Sequence, residues 1–427
     1  MLSRRAAALG LLTGIARSAP ARPNIVLFWS EGHAASGLTA AATPHLHRMA
    51  AEGLRMSAAF TPEAMGSPSL SSLLTGLYPL RHGAYEEFSF IRRNAGKTWP
   101  LWFQESGYRV TLAGVPAFGP RLQFPFDYQP LSSPRRYLRL RHEKPFCLVV
   151  ILPPLDEYAG ETPDAVAPPP YAVDTPATRK WMGRYMQALR GMDAWIGETL
   201  ADIGGNTITL YASAHGPSLP FAKWSLYDAG IRVPLLVRWP GVVRPGESQA
   251  MVSLMDVLPT LVEACGSPPP PGLDGRSFLN LLTGRTTEHR SEIFAVHHNR
   301  GSVSGSDCPS RTIRTRRFKY IANLKHWNQF GNIWWRGNDG SDSRNPVRSG
   351  PPAMWREWLL RAAADDHAQN RVGLWRSRPA EELYDLDADP NELRNLAAEE
   401  LPEQTQLRSR LVAWMKQQKD GWLSFVE

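Results

Sequence analysis

The chain has 427 residues, 43% hydrophobic and 21% charged, with a formal net charge of +8. That balance excludes a disordered chain, and 37 prolines and 34 glycines among apolar runs suit a large protein with long ordered loops. Three scattered cysteines, Cys147, Cys265 and Cys308, exclude a disulfide framework and give no metal-ligand spacing.

At the N-terminus, Ser3-Arg4-Arg5 precedes the apolar run Ala6–Ile15, and Ala19-Pro20-Ala21 fits a small-residue cleavage site. Residues 1–21 therefore read as a bacterial export signal of the twin-arginine kind, placing the mature protein in the periplasm or outside the cell. The run is far shorter than the roughly 20 apolar residues that cross a bilayer, so no integral membrane span is expected after signal removal. Cleavage takes away Arg4, Arg5 and Arg17 and no acids, which leaves a basic exported protein suited to polyanions such as sulfated glycans. Nucleic acid is not expected as a partner, because no binding module accompanies the basic charge.

Asn24–Trp29 then predicts a buried strand. Thr43-Pro44 supplies an N-cap and a first-turn proline for a helix that Gly53 ends. Further strands are expected at Arg109–Ala113, Phe146–Leu152, Thr207–Ser213 and Val233–Arg238. The longest helix should follow Asp174-Thr175-Pro176, with Trp181, Tyr185, Leu189, Met192, Ile196 and Leu200 on one apolar, core-facing stripe. This alternation predicts an α/β domain over residues 22–291: a large mixed, mostly parallel sheet flanked by helices.

Residues 292–427 predict a smaller α+β subdomain with an antiparallel sheet. Its strands are Thr312–Thr315 and Phe318–Asn323, its closing helix is Glu403–Gln418, and the stretch Gly331–Pro352 reads as a loop. Arg135, Arg136, Arg139, Arg141 and Lys144 form a basic run beside Tyr137, either a solvated helix face or a glycan-binding stripe. Trp327, Trp334, Trp335, Trp355 and Trp358 cluster in the second region, as packing or as sugar-stacking rings.

Several segments in order resemble the sulfatase family of the alkaline phosphatase superfamily. They are Arg22-Pro23-Asn24-Ile25-Val26-Leu27, Thr43-Pro44-His45-Leu46, Ser67-Pro68-Ser69 with Ser72-Leu73-Leu74-Thr75-Gly76, and Gly230-Ile231-Arg232-Val233-Pro234. Glu382-Leu383-Tyr384-Asp385-Leu386 with Asp389-Pro390-Asn391-Glu392 completes the set. Within the family, His297-His298, Cys308-Pro309-Ser310-Arg311 and Arg316-Arg317-Phe318 resemble the C-terminal region of sulfamidase-like members.

The resemblance implies an alkaline phosphatase-like fold and a formylglycine nucleophile, made from the Cys or Ser that opens Cys/Ser-x-Pro-Ser-Arg and held on calcium. Here that motif reads Gly66-Ser67-Pro68-Ser69-Leu70, so Gly66 offers nothing to oxidise and Leu70 replaces the arginine. Loss of a covalent nucleophile costs on the order of 10⁶ in turnover. The family's calcium carboxylates align with Glu31-Gly32 and Ala214-His215, leaving one carboxylate for a cation that takes about six to eight oxygens. No cofactor is therefore expected, with a transition metal on Glu31 and His215, joined by His33, as the minor alternative. The family's Lys-x-His clamp aligns with Val115-Pro116-Ala117, and its pocket histidine falls near Leu155, so only Lys223 survives as a sulfate-binding cation.

His297, His298 and Arg311, with Lys223, remain as candidate sugar contacts, against the alternative of a loop with two incidental histidines. Three readings follow. One is a non-catalytic homologue binding a sulfated or acidic saccharide. The second is a sulfuric ester or sulfamate hydrolase with a rebuilt site on Glu31, His33, His215 or Lys223, with Ser67 as nucleophile. The third is a structural or protein-interaction role.

Overall fold

The computed structural model describes residues 22–155, 165–298, 307–330 and 351–426. The expected export signal, most of the loop after Phe330, and Trp334 and Trp335 lie outside the described residues.

A nine-stranded sheet forms the body. In chain order its strands are β1 (Asn24–Ser30), β2 (Leu54–Phe60), β3 (Arg109–Ala113), β4 (Asp127–Gln129), β5 (Phe146–Ile151), β6 (Thr207–Ser213), β7 (Arg232–Arg238), β8 (Gly246–Ser248) and β9 (Val252–Ser253). Their spatial order is β4-β3-β5-β1-β6-β7-β2-β8, with β9 also paired to β2. β1 lies parallel to β5 and β6, whereas β7 runs antiparallel to both β6 and β2. β1 reads as a continuous apolar run because both its faces are covered. Val26 and Phe28 join one core layer, and Ile25, Leu27 and Trp29 the other. β2 carried no such signal: its pairing with β7 breaks register between Met56 and Ala59, and a bulge erases the two-residue period.

The helix Pro176–Leu200 covers one face, its start capped by Thr175, whose hydroxyl accepts from the Thr178 amide at 3.2 Å. The shorter helix Pro44–Ala51 departs from the sequence expectation at its cap. Thr43 occupies the cap position, but its hydroxyl donates to the Thr39 carbonyl. Asp193, from the long helix, instead accepts from the His45 and Leu46 amides at 2.9 and 2.8 Å. A cap supplied across the tertiary structure leaves no local sequence signature.

The second sheet is antiparallel and runs β10 (Ile293–His297), β11 (Ser310–Arg314), β12 (Phe318–Asn323), β13 (Glu381–Asp385). The helix Pro402–Gln417 closes it, with the Trp414 ring stacked on Phe294 at 4.7 Å. Two further helices, Pro351–Arg361 and Asp366–Arg376, follow the expected loop. Buried ion pairs join the two sheets: Asp228 binds both Arg314 and Lys319, and Lys319 also reaches Glu392 at 2.8 Å. The basic run splits, because its helix ends at Arg139. Arg135 and Arg139 there pair with Asp202, and Tyr137 turns inward. Among the described residues no helix is long and apolar enough to cross a membrane.

Candidate active-site region

In parallel sheets, groups for ligand chemistry gather beyond the carboxyl ends of the strands. β1 and β6 end side by side at Ser30 and Ser213. Their continuations are tied together: the Ala214 amide donates to the Ser30 carbonyl at 2.9 Å, and the His33 amide to Ser213 Oγ at 3.0 Å. This register brings Glu31 and His215 to one place. His215 Nε2 lies 3.9 Å from Glu31 Oε2, longer than a hydrogen bond, and its Nδ1 donates to the Gly216 carbonyl at 2.7 Å. Gly32 and Ala214 add no side-chain oxygen. One carboxylate and one imidazole are a poor match for calcium.

His33 is fully buried, with Nδ1 2.6 Å from the Tyr211 hydroxyl, and burial pushes its pKa down to about 4. Among the described residues no three His, Cys, Asp or Glu side chains converge as a metal-holding group, so His33 does not complete a triad with Glu31 and His215.

The helix Gly66–Thr75 faces this pair with its first residue. A Cβ built on Gly66 would sit 2.5 Å from Glu31 Oε1 and 2.7 Å from Oε2, closer than real Cβ contacts come. The Glu31 carboxylate thus occupies the volume in which a side chain at position 66 would begin. The amides that this helix end leaves without an intrahelical acceptor are taken as well: Gly66 and Ser67 donate to Glu87 Oε1 and Oε2 at 3.1 and 3.2 Å. Lys223 Nζ stands 3.4 Å from the same carboxylate. Burial pushes the Glu87 carboxyl up, but Lys223, His215 and the two amides outweigh it and hold it below the usual carboxylate value. An internal anion therefore sits where a helix N-terminus and a lysine would receive an external one.

The remaining motif positions point elsewhere. Ser67 Oγ donates to the Ala117 carbonyl and accepts from the Phe88 amide, so its hydroxyl is directed at the neighbouring loop. Leu70 is buried in the second core layer, and Leu155 packs behind Gly32. Val115 is 85% exposed and brings an apolar side chain where the family's cationic clamp is expected.

His297 closes β10 and His298 follows it outside the strand; both are buried, so the loop that one sequence reading allowed begins only at His298. His297 Nδ1 lies 3.6 Å from Glu63 Oε1, three residues before Gly66. Burial, with Arg378 and Arg311 adding to it, pushes the His297 pKa down to about 3, and burial pushes the Glu63 carboxyl well up. Arg311 is fully buried and grips Asp420 through Nε at 2.5 Å and Nη2 at 3.0 Å. Its Nη1 bonds the His297 and Ser310 carbonyls, so it braces the strand end. Sequence reasoning missed Glu87, Glu63 and Asp420. Each is an acid outside any motif, and only the fold brings it to its partner.

The general sulfatase family model matches residues 23–128 and 135–267, more than half of the chain. The chain belongs to the sulfatase family. A second model, the C-terminal part of N-sulphoglucosamine sulphohydrolase, matches residues 216–348 of this sulfatase-family chain. Among characterised sulfatases, an ulvan-active sulfatase of Formosa agariphila is 29% identical, covering 93% of this chain and 81% of its own. Human N-sulphoglucosamine sulphohydrolase is 27% identical over 97% of this chain and 94% of its own.

Solved structures agree on the fold. One, in complex with its substrate D-glucosamine-2-N, 6-O-disulfate, superimposes with a TM-score of 0.66 at 18% identity, covering 94% of this chain and 99% of that one. The phosphonate monoester hydrolase of Agrobacterium radiobacter gives 0.62 at 17% identity, with 93% and 96% covered.

Proposed function

We propose that this protein is an exported sulfatase homologue that no longer hydrolyses sulfate esters and instead binds a sulfated or otherwise acidic saccharide. The observation that carries the reading is the meeting of Gly66 and Glu31: position 66 has no side-chain atom to carry a nucleophile, and the Glu31 carboxylate stands where such a side chain would begin. Glu87 adds to it by taking the helix-end amides and Lys223 that an ester's sulfate would need. Export rests on residues 1–21 and their paired arginines. The ligand class rests on relatives named for ulvan and N-sulphoglucosamine, together with the basic charge. Glu31 and His215 act here as packing and hydrogen-bonding groups, without calcium between them.

The test is hydrolysis of an aryl sulfate and of N-sulfoglucosamine by purified mature protein, with and without added Ca²⁺ or Zn²⁺. A Gly66→Cys variant coexpressed with formylglycine-generating enzyme runs alongside. Neither protein is expected to turn over. Turnover by the unmodified protein that disappears in Glu31→Ala or His215→Ala would overturn this reading in favour of a rebuilt hydrolase.

A further inference from the structure

A second polar cluster lies away from the helix end, where the helix Asp366–Arg376 meets the loop that carries Lys223. Arg371 is 1% exposed, and its Nε, Nη1 and Nη2 are all buried without a hydrogen-bond partner among the described residues. Its guanidinium stacks on Phe221 at 3.9 Å from the ring centre. Arg378 is also buried, with no hydrogen-bond partner for Nε or Nη2 among the described residues, and lies 4.0 Å over Phe330 and 5.1 Å from Trp375. Trp375 joins the halves: its ring centre is 5.1 Å from Phe221 and 4.7 Å from Phe330, edge-on to both. His297, its ring centre 6.2 Å from that of Phe330, makes no hydrogen bond through its ring nitrogens among the described residues, and its Nδ1 has only Glu63 Oε1 near it, at 3.6 Å.

A guanidinium carries five N–H donors and does not lose its proton in proteins. Aromatic faces attract its charge but satisfy none of those donors. Two carboxylates lie near: Glu63, beside His297 and pushed by burial toward its neutral form, and Glu382, which acts on the same surroundings as the two arginines but is engaged elsewhere. It accepts from Tyr227 at 2.7 Å, Tyr384 at 2.6 Å and Asn323 at 2.8 Å. The backbone points the same way. Phe221 and Trp224, in one loop, hold φ values of +67° and +61°, a left-handed conformation costly for aromatic residues and concentrated at ligand sites.

We infer that Arg371 and Arg378, framed by Phe221, Phe330 and Trp375, form a binding site for an oxyanion group, a sulfate or a carboxylate, carried by the saccharide. The planar guanidinium forks suit either group, and the rings around them exclude water and strengthen the pairing. His297, neutral at this position, accepts or donates one hydrogen bond without adding charge. The inference rests on the proposed saccharide binding only for the sugar; the oxyanion site stands by itself.

The experiment titrates inorganic sulfate into the mature protein by calorimetry at constant ionic strength, and into Arg371→Met, Arg378→Met and Arg371→Lys variants. Saturable binding to the parent is expected, with at least tenfold weaker binding in each variant. In sulfate-free buffer the methionine variants should melt at the same or a higher temperature, because a neutral chain replaces an uncompensated buried cation. Arg371→Lys keeps the charge and loses the fork, so it reports on recognition should a methionine variant misfold. No saturable binding by the parent, or loss in Lys223→Gln rather than in the arginine variants, overturns the site. N-sulfoglucosamine and glucuronate in parallel separate sulfate from carboxylate. Failure of both sugars with sulfate binding intact would remove the saccharide reading and leave the anion site standing.

Discussion

Two charged regions of this protein lie on neighbouring elements and are built on opposite plans. Around the ends of β1 and β6, Glu87, Lys223 and Arg311 meet charged or hydrogen-bonding partners from the same chain. Glu87 takes two amides and Lys223, Glu31 fills the hollow over Gly66, and Arg311 is locked to Asp420 close by. At the aromatic cluster, Arg371 and Arg378 are as deeply placed yet have donors with nowhere to go. A buried charge satisfied from within is part of the scaffold. One left unsatisfied costs stability, and such a cost persists where something outside the chain recovers it.

The Arg311–Asp420 pair gives the largest expected effect in this contrast. Both side chains are 0% exposed, so Asp420→Asn leaves a guanidinium buried against a neutral partner. Removing one member of such a pair costs about 3–5 kcal/mol. Urea denaturation should show that loss, whereas Arg371→Met should show none. A loss under about 1 kcal/mol for Asp420→Asn would mean that Arg311 and Arg371 are not different in kind.

Gly66 comes next. At a helix start, alanine normally matches or betters glycine, by about 0.5–1 kcal/mol in helix interiors. Here the added Cβ meets the end of the Glu31 side chain, so Gly66→Ala should lose that gain and cost up to about 3 kcal/mol, set by how far the carboxylate must swing aside. The decisive measurement is the double variant with Glu31→Ala. The two changes should couple by about 0.5–3 kcal/mol in the favourable direction, because removing the carboxylate makes the room. Strict additivity would show that Glu31 moves aside freely, and the space argument against a nucleophile would fail with it.

The fold was legible in the sequence because burial on both faces of a parallel sheet leaves long apolar runs. β1, β3, β5 and β6 fall within a residue or so of where those runs predict them. β2 was not legible, since its bulge breaks the period, and neither was the Asp193 cap, which crosses from one helix to another. In the active-site region the absences were readable: a glycine at position 66, a leucine at 70 and a valine at 115 announce themselves against the family motif. What replaced the missing groups was not. Glu31 aligned with a calcium carboxylate, and nothing local says that it fills the glycine's hollow. Glu87 sits in Tyr85-Glu86-Glu87-Phe88, a stretch without motif or period, and becomes a helix cap only when the loop folds back on Gly66.

The smallest effect lies at Glu87 and turns on pH. Its carboxylate caps two amides and faces Lys223, so Glu87→Gln should cost about 1–2 kcal/mol near neutral pH, as for a lost cap with a charged acceptor. The folded-state pKa is depressed below the ordinary 4.5, so the ionised form is favoured on folding. That contribution is fully present above the unfolded value of 4.5 and is lost as pH falls through the lower folded value. Glutamine does not titrate. The stability gap between parent and variant should therefore be constant from neutral pH down to about 4.5 and narrow below it. Denaturation of both proteins across that range is the check. A gap that widens on acidification would mean that Glu87 is protonated in the folded protein, and that the helix end and Lys223 still await an anion from outside.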